Sequence, residues 1–330
     1  MILAADLGGT KCVMALYQAG TLTSVREHVY KCAEHASLDE IVADFLREPP
    51  SELVAGACFA VAGPIEGRKA KITNLPWTID ADALSRQLGG APVALLNDLQ
   101  ATALGTLVLA PAQLAILQEG ARPEHGTIAV IAPGTGLGEA VLLSDGTTYR
   151  ALPSEGGHAD FAPTTDEEIE LLRFLRRRHG GHVSNERILS GNGIGALYDF
   201  VRTTAGAEPA WLTAEMSGHD RNAVITEVGL AKRDAACVRA LEMFAEILGA
   251  EAGNQALRAM ATGGVVIGGG IPPRLLPALA SGALLARFCD KGRFAAWMKS
   301  LSVRVSLEPR AALLGAAHHV ASVRTTMSQP

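Results

Sequence analysis

The chain has 330 residues, nearly half of them apolar and 19% charged, with a net charge of −5. That length suits about two domains. The composition suits a buried globular core, and the charge balance gives no excess of Lys and Arg as an electrostatic footprint for nucleic acid.

In chain order, Met1 to Asp6 carries no basic flank and too short an apolar run for a secretory signal. Ile2 to Ala5 predicts a strand, Asp6-Leu7-Gly8-Gly9-Thr10-Lys11 a glycine-rich turn, and Cys12 to Tyr17 a second strand. A helix is expected over about Leu38 to Arg47, a buried strand over Leu53 to Val61, and turns through Gly63-Pro64 and Asn74-Leu75-Pro76-Trp77. A helix near Asp80 to Leu88 and a strand at Val93 to Leu96 follow, and the strand runs into Asn97-Asp98 and an apolar helix. This alternation indicates an α/β architecture. Leu99 to Gln118 is uncharged but contains Gln100, Gly105, Pro111 and Gln113. Proline breaks a helix interior, so the segment predicts a buried helix followed by a loop and not a membrane span.

A second hairpin follows: strand Thr127 to Ala132, turn Pro133-Gly134-Thr135-Gly136-Leu137-Gly138, strand Glu139 to Leu143, closed by Asp145-Gly146. Two strand–glycine–strand hairpins suggest two similar halves. Thr165-Asp166-Glu167-Glu168 is a capping-box pattern, and the helix it opens ends in Arg176-Arg177-Arg178-His179-Gly180. Dipole matching and a solvated face account for the arginine run at least as well as a docking patch does. A helix is expected over about Ala231 to Ala259, then a strand at Val265 to Ile267, the turn Gly268-Gly269-Gly270 and a helix start at Pro272-Pro273. Residues Thr325 to Pro330 are expected to fray. The five cysteines (Cys12, Cys32, Cys58, Cys237, Cys289) form no CxxC pair. That argues against a disulfide framework or a zinc site and for a reducing, cytoplasmic setting.

Backbone N–H groups in glycine turns can surround a polyanion, because glycine permits close approach and positive φ. Gly8-Gly9-Thr10 and Gly134-Thr135-Gly136 fit that role, each with a threonine hydroxyl. There is no GxxxxGK[ST], which excludes a Walker A loop. The Gly134 turn leads into a strand, whereas a Rossmann fingerprint leads into a helix. One such turn alone reads as a hairpin; two, with Gly268-Gly269-Gly270, point to a nucleotide. Asp6, at a strand end beside the first turn, reads as a Mg²⁺ carboxylate acting through water ahead of a turn carboxylate bonding its own backbone.

Asn97-Asp98 lies between a strand end and a helix start, so both residues suit a cap. Ligands of open α/β sheets bind beyond the carboxyl ends of strands, so a carboxylate there can also take the proton of an attacking hydroxyl. Glu155-Gly156-Gly157-His158 offers a carboxylate and an imidazole, the kind of groups that hold a neutral sugar at fixed angles; the alternative is a surface loop. Glu186, taken alone, reads as an exposed helix residue, with sugar acceptor as the second reading.

Together these segments resemble the bacterial glucokinase family of the hexokinase–actin superfamily, nearly end to end. Ala5 and Asp6-Leu7-Gly8-Gly9-Thr10 resemble its first phosphate motif, Gly134-Thr135-Gly136-Leu137-Gly138 its second, and Val266-Ile267-Gly268-Gly269-Gly270-Ile271 its adenosine motif. Asn97-Asp98, the run from Glu155 to Pro163 and the run from Glu186 to Gly191 resemble its sugar segments, with Asn74 near the expected sugar loop. The resemblance implies ATP and Mg²⁺, no zinc, and a sugar bound by Asn97, Asp98, Glu155, His158 and Glu186, with Asp98 as catalytic base. It also implies two ribonuclease-H-like lobes with a cleft between them, 1–107 plus 308–330 and 108–307, commonly in a homodimer. The segment Ala311 to Val320 is expected to return to the first lobe as a helix. Lys11 stands where many of these glucokinases carry Asn, as in the related repressor–open-reading-frame–kinase family. That second family's zinc-binding cysteines and DNA-binding helices are absent from the sequence, which favours the glucokinase branch. Another hexose kinase, a non-catalytic sugar sensor and a polymerising actin-like ATPase are the rival readings.

Overall fold

A computed structural model describes residues 1–72 and 75–327. Asn74 lies outside the described residues. The elements in chain order are β1 (Ile2–Leu7), β2 (Lys11–Tyr17), β3 (Ser24–Lys31), α1 (Leu38–Phe45), β4 (Gly56–Val61), the short β5 (Ile65–Glu66), β6 (Lys69–Lys71) and β7 (Thr78–Asp80), α2 (Ala81–Gln87), β8 (Val93–Asn97) and α3 (Asp98–Gly105). Next come β9 (Leu114–Gln118), β10 (Ile128–Pro133), β11 (Leu137–Ser144), β12 (Tyr149–Ser154), α4 (Asp166–His179), α5 (Gly191–Ala205), α6 (Ala210–Met216), α7 (Arg221–Leu230) and α8 (Ala235–Ala259). The chain closes with β13 (Gly264–Ile267), α9 (Pro272–Leu279), α10 (Ala283–Cys289), α11 (Ala295–Ser300), β14 (Val303–Ser306) and α12 (Ala311–Met327). No described helix is long and apolar enough to cross a membrane.

The chain forms two compact units. One contains Met1–Pro111, Ser144–Pro153 and the segment from Glu308; the other contains Ala112–Leu143 and Ser154–Leu307.

In the first unit the main sheet has the order β3-β2-β1-β4-β8, with β1 antiparallel to β2 and parallel to β4, which is parallel to β8. Side chains alternate across the sheet. Leu3, Ala5, Leu7, Phe59 and Val61 face one core with Leu38, Ile41 and Phe45 of α1. Ile2, Ala4, Cys58 and Ala60 face another with Ala101 of α3 and Leu313, Ala316 and Ala317 of α12. By the same parity Asp6 belongs to the α3 face. Helices α3 and α12 lie backbone against backbone: a Cβ on Gly315 would stand 2.6 Å from Gly105 N and 2.7 Å from Ala101 C. Only glycine allows that approach.

In the second unit β11-β10-β13-β14-β9 form the sheet, with β10 antiparallel to β11 and parallel to β13, and β13 parallel to β14. The run β11-β10-β13-β14 repeats the arrangement of β2-β1-β4-β8, a hairpin flanked by two parallel strands. Helix α8 supplies much of the core here, burying Leu241, Phe244, Ile247, Leu248 and Ala252.

Local chemistry sets the boundaries. Ser37 caps α1 by accepting from the Glu40 N–H, Asp80 caps α2, and Thr165 with Glu168 completes the capping box of α4, which ends at Gly180 with φ 74°. Three expectations are corrected. The strand expected from Leu53 begins at Gly56, and Leu53 is 90% exposed. The loop expected after α3 contains β9, which pairs with the distant β14. The long helix begins at Ala235, not Ala231, because the Asp234 carboxylate accepts from the N–H groups of Ala236 and Cys237 and caps it there. Helix α12 carries the expected Ala311 to Val320 and continues to Met327; the last three of the residues expected to fray lie outside the described residues.

Candidate active site

The first unit gathers its polar groups at the carboxyl ends of parallel strands. Register pairs Asp6 of β1 with Ala60 of β4, and Ala60 with Leu96 of β8, so Asp6 and Asn97-Asp98 emerge at one sheet edge. The turn after β1 closes through Gly8 N–H to Lys11 O at 2.9 Å and is anchored from the side by Cys32 N–H to Thr10 O at 2.9 Å. Leu7 is fully buried in the core and Ala5 likewise, so neither side chain is available to a ligand; their backbone is what they offer. Thr10 and Lys11 are exposed at the tip.

Asn97 opens α3 with extended backbone, φ −62° and ψ 147°. Its Oδ1 accepts from Leu99 N–H at 2.9 Å, and Gln100 Oε1 accepts from Asn97 N–H at 3.2 Å, a reciprocal capping box. Asp98 Oδ1 accepts from the same Leu99 N–H at 2.9 Å. Gln100 Nε2 donates to Ala151 O at 3.0 Å, which ties the cap to its own unit. Asp6 is half-buried, and its carboxyl is pushed up to about 6, first by burial and then by the negative charge of Asp98. Two like charges held together with little water favour a cation, and carboxylate oxygens are hard ligands suited to Mg²⁺. The pair therefore fits that ion.

In the second unit the Gly134 turn closes through Gly134 N–H to Gly136 O at 2.8 Å. The Gly134 carbonyl accepts from Gly191 N–H at 2.9 Å, at the start of α5. Gly268 N–H donates to Ile131 O at 2.8 Å. Gly269 takes φ 85°, and a Cβ there would lie 3.0 Å from Pro133 C, so glycine is required. Gly8, Gly134 and Gly136 do not take positive φ. Their value is bare backbone, not unusual dihedrals.

The turn Glu155-Gly156-Gly157-His158 is one turn of 3₁₀ helix resting on β11; a Cβ on Gly157 would stand 3.0 Å from Leu137 C. Glu186 is not an exposed helix residue. It sits in a short 3₁₀ turn, and its Oε2 accepts from Leu137 N–H at 3.0 Å, just beyond the glycine turn. His158 lies 4.0 Å from both Glu155 and Glu186, near the two carboxylates but beyond hydrogen-bond distance. Glu155, His158 and Glu186 thus converge in one unit, and Asn97, Asp98 and Asp6 in the other. Sequence reasoning missed Gln100, which was legible as the fourth residue of an Asn-x-x-Gln box.

A duplicated sheet with a hairpin beside two parallel strands, glycine turns after the first strand of each half and a carboxylate at a strand end define the actin-like ATPase fold as sugar kinases use it. The glucokinase family model matches residues 3–323. A glucokinase of Nostoc punctiforme is 37% identical over 96% of this chain and 98% of its own. The crystal structure of a glucokinase from an Antarctic psychrotroph superposes with a TM-score of 0.86 at 32% identity, covering 97% of this chain and 98% of that one. A ROK-family glucokinase from Streptomyces griseus, solved with glucose and AMPPNP, shares the fold at 18% identity and a TM-score of 0.66, over 96% of this chain and 97% of that one. The chain belongs to the glucokinase family.

Proposed function

We propose that the chain phosphorylates glucose with ATP, giving glucose 6-phosphate and ADP, with Asp98 as general base. The observation that carries this reading is the Asp98 carboxylate at the end of β8, held by the Asn97–Gln100 cap beside Asp6. The Asp98 carboxylate takes the proton of the sugar's hydroxymethyl group. The freed oxygen forms a bond to the γ-phosphorus, the bond to the β-phosphate oxygen breaks, and its electron pair leaves with ADP. Positioning and electrostatics supply most of the acceleration in such transfers. Mg²⁺, when bound, would screen phosphate charge, and Asp6 is the residue that would hold it.

Asn97, Glu155, His158 and Glu186 bind sugar hydroxyls in this reading, and Glu186 is oriented by its bond from Leu137 N–H. The backbone of residues 5–10, 134–136 and 268–270 receives the nucleotide, where N–H groups can face phosphate oxygens. The family resemblance extends the reading to a homodimer in the cytoplasm, and all five thiols are free, in keeping with a reducing setting.

ADP production measured over a panel of glucose, fructose, mannose and N-acetyl hexosamines tests the proposal. The expected result is release that depends on sugar and is highest in kcat/KM for glucose. Release indifferent to every sugar would overturn it, and a preference for another hexose would replace the substrate.

A further inference from the structure

We propose that Glu139 is a positioning residue for sugar recognition: its buried carboxyl is the floor on which Gly156 rests, and it thereby sets the presentation of Glu155 and His158. The inference rests on the reading of the Glu155–His158 turn as part of the sugar site. Glu139 lies on β11, two residues after Leu137, and is only 2% exposed. A Cβ on Gly156 would overlap Glu139 Oε2 and stand 2.9 Å from its Cδ and 3.0 Å from Ser154 Oγ. The carboxyl therefore occupies the space that any side chain at position 156 would need.

Among the described residues, no hydrogen bond accounts for a carboxyl at this place. Glu139 Oε1 is buried and has no hydrogen-bond partner. The donors on α8 that the structure pairs are aimed at other acceptors. Arg258 Nη1 donates to Glu251 Oε1 at 2.8 Å, Asn254 Nδ2 to Glu251 Oε2 at 2.9 Å, and Gln255 Nε2 to the carbonyls of Val130 and Ala140. An orphaned buried acceptor costs stability, and an aliphatic residue would pack there without that penalty. The turn side contributes Gly156, whose own N–H is taken by Ser154 Oγ at 2.9 Å. Burial, and next the charge of Glu251, push Glu139 up to about 7, with Arg258 opposing. The groups around it are thus Glu251 and Arg258 from α8, with Glu155 and His158 on the turn it supports. The neutral carboxyl holds the floor. Ionisation places a charge without a hydrogen bond at Oε1 beneath Gly156 and beside Glu251, only partly offset by Arg258, so sugar affinity is expected to fall as pH rises through about 7.

The test is a double-mutant cycle on the KM for glucose, with kcat, the KM for ATP and thermal midpoint recorded for each variant. Gly156→Ala is expected to raise the KM for glucose about tenfold, because the new methyl group displaces the turn from the Glu139 carboxyl. Gly156→Ala with Glu139→Ala is expected to return to within about threefold of the wild type, since removing the carboxyl makes room for the methyl group. Glu139→Gln, which keeps the shape, is expected to abolish the rise in KM above pH 7 expected of the wild type, a rise approaching tenfold per pH unit. The two single effects adding in the double variant, or a Glu139→Gln profile matching the wild type, would overturn the inference. If the alanine variants fail to fold, the Glu139→Gln profile decides by itself. Sugar-dependent ADP release by the wild type separates failure here from failure of the proposed reaction.

Discussion

Gly134→Ala separates a glycine kept for a ligand from one kept for the fold. A Cβ at Gly134 meets no protein atom within 4 Å, and its φ is not in the left-handed range. Both hydrogen bonds of the residue, N–H to Gly136 O and carbonyl from Gly191 N–H, use backbone that alanine retains. The substitution should therefore leave the fold intact and gain about 0.4–1 kcal/mol by restricting the unfolded chain. A phosphate oxygen hydrogen-bonded to this turn sits about 2.9 Å from a backbone nitrogen, closer than a neighbouring methyl group tolerates. Losing one such charge-assisted bond costs about 1.5–3 kcal/mol, or roughly 10–100-fold in the KM for ATP. The assay is steady-state kinetics with ATP varied at saturating glucose, beside a thermal melt. A KM for ATP within about twofold of the wild type would refute the placement of phosphate at this turn, on the scale of a lost hydrogen bond. A melting point several degrees lower would refute the packing argument.

Asp98→Asn should lower kcat by about 10²–10⁴-fold and leave the KM for glucose little changed, since Asn97 and Gln100 still hold the cap; near-normal turnover in steady-state assays would remove Asp98 from its role. Asp6, pushed up to about 6, gains a proton and loses its charge as pH falls through that value. The KM for Mg–ATP should therefore rise below about pH 6, and a pH series that stays flat there would contradict the Mg²⁺ assignment. Gly315→Ala forces α3 and α12 apart, because its Cβ would stand 2.6 Å from Gly105 N. Overpacking of this kind costs about 1–3 kcal/mol, or roughly 3–10 °C in a melt, and kcat should fall too because α3 begins at Asp98; an unchanged melt would argue against the interlock.

Much of the site was legible before any coordinates, because the signals are local. The hairpin turns at Gly8 and Gly134, the cap at Asn97 and the Thr165–Glu168 box each depend on residues a few positions apart. Other features depend on partners far away in the chain. Leu114–Gln118 reads as a loop by itself and becomes a strand because β14 offers it an edge. Glu186 reads as a surface carboxylate until Leu137, 49 residues earlier, donates to it. Glu139 is one charge in an apolar strand until burial, Glu251 and the underside of Gly156 give it surroundings. Dihedral preferences and caps are properties of a short stretch of chain, so the sequence alone determined the glycine turns, the caps at Asn97 and Thr165 and the family they resemble. Burial, proton affinity and the pairing of an edge strand are properties of what packs alongside, and only the tertiary structure decided those.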